Sequence, residues 1–439
     1  MKQKKAYFYS IFVLAICLTI GVKGYGQQKK IEKTYKWTYK VNEDVKITFS
    51  NYDSDLVIHT WDKNEIAYYM SVKATLKTTE DASRLDTYLE ELKFSHSAGS
   101  VQIDSRYWTS KKAVMGRKTM TLKGAKTVRF SEYKMKGEIW VPENCRLVLS
   151  SKYSEIQANN VKGVLSLDLY NDKWYGGDVN TAISIKAKYS NLEFEEMKDV
   201  DADLYNCDME AGNIGNLNAV SKYSNFHAGD AGKVVIDAYN DKYSFRNTGD
   251  IKFTDKYSDL EALNAGRIEL DCYTSTVDIV LAEDIYLKSK YGKYLLDGAA
   301  SLNITSSYND KFEIKKLSSL SIDESKYSVV KLDHLERSLL LKDGYTDKFY
   351  IKNVGSLSEV KVSGKYIVLE MALDREFSYR FEADVKYPKF DIPEEDMNTR
   401  IKTKEGSDLQ MKAVKGTEME GMPSIFVNGY DMAITLTEQ

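Results

Sequence analysis

Stepping through the chain seventeen residues at a time from Ile183 gives Ile183, Val200, Leu217, Val234, Ile251, Ile268, Ile285 and Leu302, all large and aliphatic. Two places later the column reads Ile185, Ala202, Ala219, Ile236, Phe253, Leu270, Leu287 and Ile304. Two further on it reads Ala187, Leu204, Ser221, Ala238, Asp255, Cys272, Ser289 and Ser306, mostly small. Inward positions two apart define a β-strand and exclude a helix, whose apolar spacing is near 3.6. A second strand follows in each repeat, with inward columns Leu192, Met209, Phe226, Tyr243, Leu260, Val277, Tyr294 and Phe194, Ala211, Ala228, Phe245, Ala262, Ile279, Leu296.

Between repeats stand Asn213-Ile214-Gly215, Asp230-Ala231-Gly232, Asn247-Thr248-Gly249 and Asn264-Ala265-Gly266. These are turn residues, with Gly expected where the backbone needs a positive φ. Two short strands and two corners cannot enclose a core alone, but stacked coils can. The fold class predicted is therefore all-β, a parallel β-solenoid with turns of about 17 residues. Residues 151–370 would make about 13 turns, a stack on the order of 60 Å long at the usual strand spacing.

Flanking patterns complete the division. Ser50 to Ile58 resembles Ser151 to Ile156, so the coil begins early and is interrupted by an insertion of about ninety residues. Thr79 to Phe94 reads as the one helix, with Leu85, Tyr88, Leu89 and Leu92 on a face and Thr79 as its N-cap. Such an insertion is suited to cover open strand edges. Pro388 and Pro393 end the regular pattern before Ser424–Val427 and Met432–Leu436 restore it. The expected regions are 1–26, a capping region 27–145, the solenoid 146–370, and C-terminal strands with a cap 371–439.

Composition adds two peculiarities: 32 Tyr and only 4 Pro in 439 residues. No proline occurs from Glu143 to Tyr387, as suits an unbroken hydrogen-bonded ladder. The tyrosines concentrate after the small inward column. One position there reads Lys188, Tyr205, Lys222, Tyr239, Lys256, Tyr273, Lys290, and the next reads Tyr189, Asn206, Tyr223, Asn240, Tyr257, Thr274, Tyr291. Alternation separates like charges and lets each ammonium lie near an aromatic face. Asp172, Asp241 and Asp310, each followed by Lys, are expected to add charge at the same edge. The ladder reads first as a device that pins register and second as a binding face for sugar rings or an extended peptide.

Near-balanced charge, 62 Lys+Arg against 65 Asp+Glu, excludes a strongly basic nucleic-acid binder. Lys2, Lys4 and Lys5 followed by the uncharged run Ala6–Val22 read as a secretory signal peptide, the alternative being an uncleaved anchor. Ile16 stands where a lipoprotein signal ending at Cys17 needs a small residue. No later segment is apolar enough to span a membrane as a helix. Ser105 to Ser131 holds eight basic residues and no acid, which reads as a solvated hairpin or a contact for anionic headgroups or glycan.

Catalytic chemistry finds little footing. His59, His96, His227 and His334 have no metal-ligand spacing, and no cofactor fingerprint occurs. His227 should face solvent. Asp255 reads as an ordinary end-of-strand side chain turning into the corner rather than a buried carboxylate. Asp203, Asp237 and Asp271 are read as charge partners of nearby lysines. Cys207 and Cys272 lie four turns apart, too far for a disulfide.

The leader, early strand pair, single helix and long run of short strands with Gly/Asn/Tyr turns resemble the putative-adhesin β-solenoids of bacterial cell-envelope proteins, a family largely of unknown function. The dense Lys/Tyr alternation departs from that pattern. The resemblance implies a secreted, periplasmic or surface-located non-enzymatic protein and supplies no ligand; the residues themselves lead to the expectation of no cofactor and no metal. The function expected is binding of a surface glycan or envelope protein along the tyrosine-rich side. The alternatives are a β-helix enzyme acting on acidic polysaccharide and a structural scaffold.

Overall fold

A computed structural model describes residues 28–439 except Ala125. The signal-peptide reading and Cys17 lie outside the described residues. The described residues form two compact units: one holds 28–33, 72–92 and 107–134, the other 34–71, 93–106 and 135–439.

The larger unit is the β-solenoid, about 12 parallel turns at a spacing of about 18 residues. Val234 pairs with Ile251, Ile251 with Ile268 and Ile268 with Ile285, all in parallel register. On the second strand Phe226 pairs with Tyr243, Tyr243 with Leu260 and Leu260 with Val277. Every one of these side chains is buried. Burying one such side chain contributes roughly 1.5–3 kcal/mol, so a continuous apolar column replaces the single core of a globular domain. The 17-residue step holds from Tyr189 to Tyr291 and lengthens beyond. Thr305 is an extra residue, so Ser289 pairs with Ser307 and not with Ser306 as the strict step expected.

The corners differ from expectation in an instructive way. Gly215, Gly232, Gly249 and Gly266 do not have positive φ. Close stacking explains Gly215 and Gly232: a Cβ on Gly232 would stand 2.1 Å from the carbonyl oxygen of Gly215, and one on Gly215 2.4 Å from that of Lys198. Left-handed backbone occurs instead at the other corner, on Tyr153, Asn171, Tyr189, Asn206, Tyr223, Asn240, Tyr257 and Thr274, with φ between 52° and 64°. Asn accepts this conformation readily; β-branched Thr does not. Thr274→Asn, the residue at the same corner two coils earlier (Asn240), is expected to raise stability by about 1 kcal/mol. A urea midpoint that falls would contradict this account.

Both ends of the stack are assembled out of chain order. Lys46–Tyr52 lies between Arg146–Lys152 and Ser100–Asp104, pairing in parallel with each. Asp55–Trp61 pairs with residues 136–142 on one side and 156–158 on the other. At the far end Ser424–Tyr430 inserts between Glu359–Lys365 and Tyr379–Lys386, again parallel to both. The last coil in sequence is thus not the last in the stack. An antiparallel hairpin, Met397–Glu405 with Asp408–Lys415, pairs onto Tyr379–Lys386.

The smaller unit contains the helix, Thr79–Glu90. It is shorter than expected and capped by Thr78, whose hydroxyl accepts the Asp81 N–H at 3.1 Å, so Thr79 is the first helical residue. Leu85 and Leu89 are buried, and Asp81 pairs with Arg129 at 3.2 Å. The basic stretch folds as an antiparallel hairpin, Trp108–Val114 with Arg117–Leu122. Among the described residues no helix is long and apolar enough to cross a membrane.

Candidate binding face: a tyrosine column

Parallel register brings the predicted ladder together. Lys188 pairs with Tyr205, Tyr205 with Lys222, Lys222 with Tyr239, Tyr239 with Lys256, Lys256 with Tyr273 and Tyr273 with Lys290. The four lysines are exposed, Tyr205 and Tyr239 half-buried and Tyr273 exposed.

The side chains do not pack as the alternation suggested. Lys152 lies over Tyr170, 5.6 Å from the ring centroid. The repeated contact, however, is tyrosine against tyrosine. Each tyrosine of the strand end meets the left-handed corner tyrosines of the coils above and below, as Tyr205 meets Tyr189 and Tyr223. The two half-occupied columns merge into one. Sixteen rings follow one another from Tyr52 through Tyr153 to Tyr430 and Tyr387, centroids 5.3–5.7 Å apart and planes at 71–89°. Edge-to-face pairs contribute roughly 0.5–1.5 kcal/mol each, so two per corner offset the cost of about 1–2 kcal/mol for a tyrosine in left-handed backbone. Removal from water among the other rings raises the hydroxyl pKa of Tyr223 and Tyr291 above the ordinary value. Beside the column lies an open groove of about 580 Å³, lined by Asp208, Glu210, Asn225, His227, Lys242 and Glu261 among others. His227 is solvent-facing, as expected.

Beneath the column runs a buried polar row that the sequence reading missed. Asp172, Asp241 and Asp310 are buried and lend no charge to the surface, contrary to expectation, and Asp347 is buried in the same row. Asp310 accepts the N–H groups of Tyr308 and Gly292 at 3.1 and 2.6 Å and the hydroxyls of Ser307 and Ser289 at 2.6 and 2.9 Å. Asp172 and Asp347 repeat the pattern, and burial, partly countered by those donors, raises both to about 6. The signal was Asp standing two residues after Tyr in Tyr170-Asn171-Asp172, Tyr239-Asn240-Asp241, Tyr308-Asn309-Asp310 and Tyr345-Thr346-Asp347.

Asp255 also corrects the expectation. It is a buried carboxylate, pushed up to about 6 chiefly by burial, while its Oδ2 reaches the corner to accept the Ser258 N–H at 3.1 Å and the Ser275 hydroxyl at 2.5 Å. Asp271 is paired with Lys288 at 3.2 Å, charge pairing as expected but with a lysine on the strand, not at the corner. Cys145, Cys207 and Cys272 are buried and free, so the predicted lack of a Cys207–Cys272 bridge holds.

No family model matches the chain, and no curated protein matches it. Among solved structures it is similar to a "putative cell adhesion protein" from Clostridium sporogenes ATCC 15579, at 10% identity and TM-score 0.16, over 93% of this chain and all of that one. It is similar also to a "putative lipid binding protein" from Parabacteroides distasonis ATCC 8503, at 12% identity and TM-score 0.21, over 64% of this chain and 96% of that one.

Proposed function

We propose that this protein is a non-catalytic, secreted or cell-envelope β-solenoid that binds an extended glycan along its tyrosine column. One observation carries the reading: the corners do not need tyrosine. Asn171, Asn206, Asn240 and Asn309 make the same left-handed turn, at φ 52–57°, without the conformational cost. Yet Tyr153, Tyr189, Tyr223 and Tyr257 occupy alternate corners and stay 44–47% exposed. A row of exposed rings exceeds what register alone requires and suits the flat faces of sugar rings. Lysines recur every second coil, roughly 10 Å apart at the usual strand spacing, and with the groove's Asn225 and Lys242 they supply hydrogen-bond donors beside the rings. The carboxylates with raised pKa serve the corner backbone from inside the coil, which favours binding over polysaccharide cleavage.

Replacing Tyr189, Tyr223 and Tyr257 together by Asn keeps a residue suited to each corner. The full chain is expected to bind on a glycan array, and the triple variant to lose that binding while still unfolding cooperatively. Equal binding by both proteins removes the column from the site. Binding by neither favours the scaffold reading, and depolymerisation of a polyuronate would overturn the non-catalytic one.

A further inference from the structure

The basic hairpin of the smaller unit ends in an apolar tip. Val114 pairs with Arg117 and Ala113 with Lys118, leaving Met115 and Gly116 as a two-residue turn with φ of 46° and 76°. Both backbones are left-handed, the geometry that Asn-Gly normally fills. Met here is unfavourable for the turn, and it is 99% exposed, with Val114 62% exposed beside it. All residues from 111 to 118 are exposed, so both faces of the hairpin project, by roughly 13 Å at the usual rise per residue. The projecting part carries Lys111, Lys112, Arg117 and Lys118, and no acid lies between Ser105 and Ser131. Lys111 lies over the Tyr133 ring, 4.6 Å from its centroid, nearer the base of the arm.

We propose that this hairpin anchors the protein to an anionic lipid bilayer. Val114 and Met115 enter the headgroup–acyl boundary, and Lys112, Arg117 and Lys118 take lipid phosphates behind them. The projection suits a boundary roughly 5–10 Å deep. Basic residues next to an anionic surface add affinity that salt screens. A polyanionic glycan would use the same cations but has no use for an exposed Val-Met tip, so lipid is the partner the pattern favours. The inference does not depend on the tyrosine column.

Cosedimentation of the full chain with phosphatidylcholine vesicles, with and without phosphatidylglycerol, tests it. Every arm carries the apolar run Ala6–Val22, so its background is common. Binding is expected only with phosphatidylglycerol and should weaken with salt. Lys112→Glu with Lys118→Glu should reduce it more than about tenfold. Met115→Asn, which suits left-handed backbone and adds no charge, should reduce it severalfold and leave binding to dextran sulfate unchanged. The thermal melt of neither variant should fall below the parent's, since the changed residues touch solvent and the replacement at 115 relieves the left-handed turn. No phosphatidylglycerol-dependent binding, or binding that neither variant alters, overturns the proposal. So does an effect of the charge reversal on both vesicles and dextran sulfate with Met115→Asn inert, which marks a polyanion site.

Discussion

Lowering the pH from 8 to 5 is expected to stabilise the coil stack. Asp172, Asp255 and Asp347 have pKa values raised from 3.8 to about 6 by burial. A carboxyl group that binds its proton more tightly folded than unfolded adds stability that is complete below the unfolded pKa. That stability is lost as pH rises through the folded pKa. Each group therefore favours the folded state at pH 5 relative to pH 8, and a two-unit shift corresponds to an upper figure of about 3 kcal/mol. The exposed Asp230, held down to about 2 mainly by its hydrogen bond with Arg246, has the opposite sign, but its window lies below 4 and does not enter; half-buried His59, lowered from 6.5 chiefly by burial, opposes the carboxyls inside the window, one group against three. Asp255→Asn isolates one contribution. It keeps an acceptor for Ser258 and Ser275 and removes a buried charge whose Oδ1 has no hydrogen-bond partner. Its urea midpoint should rise at pH 8 by the equivalent of about 2 kcal/mol, with little gain at pH 5. A parent most stable near pH 8, or an Asp255→Asn variant weaker than the parent there, would contradict the burial account.

The same buried carboxylates mark the limit of what the chain discloses as a string of residues. Val234, Ile251 and Ile268 were legible because strand parity and a constant step act together, and both are local properties. Parity fails where the backbone turns left-handed. After Asn240 the inward direction is reset, so Asp241 faces the interior although Asp-Lys reads as a surface pair. That reset also hid the merging of two tyrosine columns, since Tyr205 and Tyr223 occupy different positions of the repeat and meet only because the corner bends. The constant step fails at Thr305, whose hydroxyl donates to the Leu287 carbonyl at 3.2 Å while its backbone is passed over by the pairing. Stack order was legible at the N-terminal end, where the likeness of Ser50–Ile58 to Ser151–Ile156 marked one coil resuming on another, but not at the C-terminal end. Parallel neighbours are chosen by fit between coils, and nothing in sequence distance places Ser424–Tyr430 before Tyr379–Lys386.

That intercalated coil rests on a glycine. Gly429 pairs with Gly364 on one side and Val385 on the other, at φ 154°, a conformation that side-chain-bearing residues rarely adopt. A Cβ there would lie 1.8 Å from the Gly364 carbonyl oxygen and 3.1 Å from the Met432 sulfur. The carbonyl cannot retreat easily, because Gly364 is itself seated on Gly344, where its own Cβ would stand 2.4 Å from a backbone oxygen. Gly429→Ala must therefore part the ladder, and a loss of about 3 kcal/mol or more is expected. Parting it leaves Glu359–Lys365 and Tyr379–Lys386 with unpaired edges, which invites aggregation. Hydrogen exchange should show the amides of Ser424–Tyr430 losing protection first, with those of Val234–Tyr239 unchanged. Gly406→Ala supplies the comparison: its φ is 59°, nothing lies within 4 Å of the added Cβ, and only the left-handed cost of about 1–2 kcal/mol applies. Equal effects of the two substitutions would mean that the last coil is not held between its neighbours.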